Sequence, residues 1–138
     1  MSKPPRVGVI ADLSQWLGVE ELLDFVELDI FTADWRRLRL DDDDLLGLQV
    51  SIMLSPKGAP VVSGTGGLRK LRFAPTRWHR GKRGALRIGY AYFDDLKIVT
   101  LIVVYPKNEK ENLDESERTE IKHLLAEMHE QLHARQGH

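Results

Sequence analysis

Between Gly64 and Arg87 the chain reads GTGGLRKLRFAPTRWHRGKRGALR, with Arg69, Lys70, Arg72, Arg77, Arg80, Lys82, Arg83 and Arg87 and no acid. No Asp or Glu occurs anywhere from Leu45 to Phe93. Guanidinium and ammonium groups held together in this way suit anions, either a phosphate-bearing polymer or negative charge developing on a phosphate. Leu71 and Phe73 alternate with Lys70 and Arg72, so a strand here sets the two cations on one face, roughly 6 to 7 Å apart. Their repulsion is tolerable only with good solvation or an anion nearby. The following PTRWHRGKRG interleaves cations with Trp78 and His79. That mixture suits single-stranded nucleic acid, with cations on phosphates and a flat ring on a base. Trp78 either stacks in this way or packs down as the anchor of its loop.

Other chemistries are narrowed by what is present and what is missing. The chain has no cysteine, which removes disulfides, thiolate catalysis and Cys-ligated zinc. The glycines of Gly64-Thr65-Gly66-Gly67 match neither the dinucleotide fingerprint nor the P-loop and read as a turn. Asp41 to Asp44 lack the glycine and glutamate spacing of a calcium loop and suit the first turn of a helix, where carboxylates complement its dipole. His129-Glu130-Gln131-Leu132-His133 is a literal H-E-x-x-H, the zinc-protease signature. His138 is the only histidine beyond it. We therefore read the motif as the polar edge of a terminal helix, with no metal expected.

With 138 residues, 42% of them apolar and 30% charged, the chain is expected to form one globular domain. Its net charge of −1 conceals three blocks. Residues 1–44 carry 5 basic and 11 acidic side chains, residues 45–93 carry 9 and 0, and residues 94–138 carry 6 and 10. A cationic centre between acidic flanks suggests a working surface for phosphates on a soluble protein. No apolar run approaches the ~20 residues that span a bilayer, and the first residues lack the h-region of a secretion signal. A cytoplasmic location is expected.

The elements that must position these residues follow from periodicity. Residues 1–24 form an N-terminal extension, with a short helix capped by Ser14 and carrying Trp16, Val19, Leu22 and Leu23. Val26, Leu28 and Ile30 alternate with Glu27 and Asp29 as in a half-buried strand. A short helix through Trp35 opens at Thr32 or Asp34, and a second runs from the Asp quartet to Leu54, stopped by Ser55-Pro56-Lys57-Gly58. Strands follow at Leu68–Ala74, Leu86–Tyr92 and Lys97–Tyr105, the last apolar on both faces and therefore central. Asp114 and Glu117 form a capping box for a C-terminal helix whose apolar face is Ile121, Leu124, Leu125, Met128 and Leu132. The expected fold class is α+β: a small, mostly antiparallel sheet built as strand, helices and three-stranded meander, closed by a C-terminal helix.

Three stretches in order, GTGGLRKLRFA, then GKRG with Arg87 and Tyr90 after it, then VYPKNEKENL, resemble the RelE/HigB-type toxins of bacterial type II toxin–antitoxin modules. The resemblance covers about residues 25–138. It implies a RelE-like fold and an mRNA endoribonuclease that works in the A site of the ribosome, touching rRNA, without metal or cofactor. It also implies a cognate antitoxin with its own DNA-binding domain, covering the same surface. By position, Lys70 and Arg72 match the alternating pair on the second strand, Arg87 the arginine opening the next, and Lys107 the basic residue after the central strand. Either Lys70 or Lys107 would help deprotonate the 2′-hydroxyl, with Arg72 and Arg87 on the scissile phosphate. Tyr105 would orient the nucleotide or simply pack in the sheet. Arg69, Arg77, Trp78, Arg80, Lys82 and Arg83 would bind RNA. Two further readings stay open: a ParE-type toxin that blocks gyrase, and an RNA-binding module whose catalytic set has decayed.

Overall fold

The alternation around Phe25 does form a strand, but a short one. In the computed structural model, which describes residues 23–78, 85–109 and 112–136, β1 spans Asp24–Glu27 and α1 spans Asp29–Arg37. Leu28, expected to continue the strand, caps the helix in an extended conformation. Ile30 is helical and 59% exposed. Asp29 in the first turn complements the helix dipole, so the helix opens here, ahead of Thr32 and Asp34. Glu27, expected to face water, is buried. Its carboxylate accepts a hydrogen bond from the Thr32 hydroxyl at 2.9 Å.

The second helix, α2 (Asp42–Leu54), begins as the acidic quartet implies. Asp41 is the N-cap, and its side chain accepts from the Asp44 amide at 2.8 Å while the Asp44 carboxylate accepts from the Asp41 amide at 2.9 Å. The helix ends at Ser55, where the backbone leaves the helical region. Next come β2 (Arg69–Phe73), a single 3-10 turn at Thr76–Trp78, β3 (Leu86–Phe93), β4 (Ile98–Pro106) and α3 (Glu115–Gln136). A reciprocal pair of hydrogen bonds between Asp114 and Glu117 opens α3.

The sheet order is β1-β4-β3-β2. β1 is parallel to β4, and the other pairings are antiparallel, which gives the expected α+β design with a mostly antiparallel sheet. One face packs Phe25, Ile88, Tyr90, Val99 and Leu101 against Phe31 and Trp35 of α1 and Leu45, Leu48 and Ile52 of α2. The other packs Leu68, Ala91 and Ile102 against Ile121 and Leu125 of α3. Covering on both faces explains why β3 and β4 are buried along most of their length. Each fully buried large apolar side chain contributes about 1.5–3 kcal/mol.

A bulge interrupts the ladder between β3 and β4. Gly89 pairs with Val103 but Tyr90 pairs with Leu101, so Ile102 is the extra residue and joins Val103 on the α3 side. A side chain at Gly89 would place its Cβ 2.6 Å from Val103 Cγ2, which explains the glycine. No helix among the described residues is long and apolar enough to cross a membrane. The Ser14-capped helix expected before Leu23 lies outside the described residues.

Candidate nucleic-acid interface

The glycine cluster before β2 is a turn. Gly64, Gly66 and Gly67 have φ of 80°, 74° and 130°, a region that glycine adopts without the penalty of a Cβ. Between them the buried Thr65 hydroxyl donates to the Val62 carbonyl at 2.7 Å and accepts from the Leu68 amide at 3.0 Å. The turn folds residues 60–62 back onto the start of β2, with Val62 and Lys70 amides bonded to the carbonyls of Leu68 and Pro60.

From that turn β2 follows its alternation. Leu71 and Phe73 pack toward α1 and α2, leaving Lys70 and Arg72 to the opposite face. Arg72 stands directly across from Arg87, and Arg87 directly across from Tyr105. Three strands thus bring Arg72, Arg87 and Tyr105 into one row, with neighbouring Cα atoms roughly 4.5 to 5.5 Å apart. Arg72 is exposed and also lines, with Leu71, Phe73 and Arg77 and with Asp43, Asp44 and Ser51 of α2, an open groove of about 830 Å³ between β2 and α2. Arg87 is only 2% exposed, and its Nη1 donates to the Ala85 carbonyl at 2.9 Å. Neither arginine forms an ion pair with a carboxylate among the described residues. Like charges directly opposite destabilise a sheet, and burying one of them adds a desolvation cost. An anion held between them relieves both.

Lys70 lies two residues back along β2 on the same face, paired with Gly89. Its ammonium donates to the Asn112 side-chain carbonyl at 3.0 Å. Lys70, Tyr105, Gly89, Val103 and Asn112 all line one small cavity of about 60 Å³, room for water but not for a base. Lys107 is exposed in the turn after β4, two residues beyond Tyr105. Asn112 and Gly89 were not singled out in the sequence. Asn112 gave no signal there, whereas Gly89, a lone glycine inside a strand pattern, is a recognisable mark of a bulge or close approach.

Three of the expected RNA-binding side chains are used elsewhere. Arg69 projects to the α1/α2 side, where its Nη1 donates to the carbonyls of Lys57 and Ala59 at 3.0 and 2.7 Å. Beside it Tyr90 gives its hydroxyl proton to the Pro56 carbonyl at 2.8 Å; burial pushes that phenol up, against the opposing pull of Arg69. Arg77 forms a two-pronged pair with the buried Asp44, Nε to Oδ1 at 3.0 Å and Nη2 to Oδ2 at 2.7 Å, and also donates to the Arg39 carbonyl. The Arg77 hydrogen bond holds the Asp44 carboxyl below its ordinary value, against the desolvation that would raise it. Trp78 packs against the larger core cluster, the anchoring alternative. Arg80, Lys82, Arg83 and His79 lie outside the described residues.

The H-E-x-x-H histidines sit away from this row. His129 Nε2 lies 2.8 and 3.1 Å from the Asp95 carboxylate oxygens, and its ring contacts Phe93 edge-on and stacks on His133 at 6.1 Å. It links α3 to the turn between β3 and β4.

No protein-family model matches the chain. Among solved structures, the chain is similar to the Escherichia coli toxin RelE in the free state, in a form with two arginines changed to alanine. The two share 19% identity with a TM-score of 0.45, over 63% of this chain and 85% of that one.

Proposed function

We propose that this protein is a toxin of the RelE/HigB type that cleaves mRNA on the ribosome. The observation that supports the reading best is the row of Arg72, Arg87 and Tyr105 on one sheet face, with two cross-strand arginines unpaired by any described carboxylate. RNA supplies its own nucleophile. The 2′-hydroxyl attacks the adjacent phosphorus, the bond to the 5′-oxygen breaks, and a 2′,3′-cyclic phosphate forms. The enzyme must align these atoms, take one proton, give one back and neutralise the phosphorane. In this reading Arg72 meets the phosphate from solvent while Arg87 supplies charge from beneath. Lys70, in its neutral amine form and held by Asn112, takes the 2′-hydroxyl proton in this reading, and Lys107 holds flanking backbone. Tyr105 orients the nucleotide beside Lys70. Lys82, Arg83 and Arg80 bind RNA, the substrate enters in the A site among rRNA contacts, and a cognate DNA-binding antitoxin covers the row.

The near-complete burial of Arg87 favours a second reading, in which the same face binds RNA without cutting it. Primer extension on translated transcripts after induction separates the two. Codon-phased breaks that vanish in Lys70→Ala, Arg72→Ala and Arg87→Ala, each still folded, support the nuclease. Growth arrest with intact transcripts supports the binder, and a supercoiling defect would point to the gyrase-blocking class instead.

A further inference from the structure

The glycine turn before β2 rests on α3. A Cβ at Gly66 would stand 3.3 Å from Lys122 Cγ, and one at Gly64 would stand 3.8 Å from Arg118 Cδ. The bare backbone of the turn therefore lies along the stems of both side chains, an arrangement that leaves their charged ends toward water. Arg118 and Lys122 are four apart in α3, hence on one face of the helix and about 6 Å apart along its axis. That face adjoins the row across the sheet. Arg118 lines the same small cavity as Lys70, Tyr105 and Asn112.

Folding alone gives this pair of cations little reason to be there. Arg118 falls in the first turn of α3, where the helix dipole disfavours positive charge, and like charges four apart on a helix repel. Glu115, Glu117 and Glu120 lie on the same turns. Even so, neither cation forms an ion pair among the described residues. Arg118 Nε donates to the Leu113 carbonyl at 3.2 Å, which steadies the guanidinium and leaves its two terminal nitrogens for another acceptor.

We propose that Arg118 and Lys122 are a second phosphate-binding step, which carries the backbone of a single RNA strand from Lys70 and Arg72 on β2 onto the first turns of α3. The inference rests on the reading of this face as an RNA site and adds the path by which the strand crosses it. It also gives the glycine turn a task beyond reversing the chain: its missing side chains let it pack under the two stems and hold them beside Lys70.

A short 2′-O-methyl oligouridine has no free 2′-hydroxyl, so its binding to the full chain reports phosphate contacts apart from cleavage. Arg118→Gln and Lys122→Gln keep the stems and remove the charges. Each should make the slope of log affinity against log salt shallower by about 0.7, and the double variant by about 1.4. Arg118→Lys, which restores the charge, should restore the slope, and Arg135→Gln at the far end of α3 should not change it. Circular dichroism confirms that each variant is folded; Lys122 is exposed, so Lys122→Gln carries the test if Arg118→Gln unfolds. An unaltered slope in the folded variants, while Arg72→Ala still flattens it, overturns the inference and leaves the RNA reading standing. An equal effect of Arg135→Gln overturns it too, because the slope then follows overall charge. If the oligonucleotide does not bind, or Arg72→Ala leaves its slope unchanged, the RNA reading itself falls and this inference falls with it.

Discussion

At the scale of single residues, Arg87 separates stability from function most sharply. It is buried, faces Arg72 across the strands, and has one carbonyl as its described partner. Replacing a buried charge by an apolar side chain of similar volume is often neutral or stabilising. Arg87→Met should therefore melt no lower than the unaltered protein while losing about 10²-fold or more in cleavage rate, the scale for removal of one transition-state donor. Thermal melting alongside primer extension checks both halves, and a variant that unfolds would assign Arg87 to the fold. Arg77 should behave in the opposite way. Its hydrogen bond lowers the Asp44 pKa, so the pair contributes stability above the ordinary carboxylate value, lost as pH falls through the lower folded value. Arg77→Ala should move the acid-unfolding midpoint to higher pH and leave cleavage unchanged, as an acid titration followed by circular dichroism would show. Alternation alone was enough to place Lys70 and Arg72 together, and it equally placed Arg69 with Leu71 and Phe73. The partnership of Arg77 with Asp44 spans 33 positions and left no local trace.

At the scale of elements, what was legible was local. The helix start at the acidic quartet, the glycine turn, the three meander strands and the Asp114–Glu117 cap each depend on residues within a few positions, and each was readable for that reason. The end of β1 was not, because Asp29 serves equally as an outward strand residue or a first-turn carboxylate; the short register with β4, Asp24 to Glu27, decides it. Nor was the burial of Glu27 readable, since it depends on helices covering both sheet faces. Within α2 one residue contradicts its surroundings. Gln49 is fully buried, and among the described residues neither its side-chain oxygen nor its nitrogen has a hydrogen-bond partner. An unpaired buried polar group costs about 1–3 kcal/mol. Gln49→Met keeps the length of the side chain and removes the amide, so it should raise the stability measured by urea unfolding by about 1–2 kcal/mol, without altering the m-value. A loss of stability would mean that the amide is satisfied in solution.

At the scale of the whole molecule, a net charge of −1 says little about what the surface attracts, because the acids and bases are segregated along the chain and the fold sorts the bases again. β2 sends Lys70 and Arg72 to one side and Arg69 to the other, while Arg77 is committed to α2. Among the described bases of β2 and the turn after it, the first two share one sheet face with Arg87, the face proposed to meet RNA. Counterion release makes this countable: for single-stranded nucleic acid the slope of log affinity against log salt is about −0.7 per phosphate neutralised. Binding of a short RNA across a salt series should therefore become shallower by about 0.7 in Arg72→Ala and in Lys70→Ala. Arg69→Ala and Arg77→Ala, whose guanidiniums are bonded to carbonyls and to Asp44, should keep the original slope even where they weaken the fold. If Arg69→Ala flattens the slope as much as Arg72→Ala does, phosphates reach both faces of β2, and the row across β2, β3 and β4 is not the site at which RNA is read.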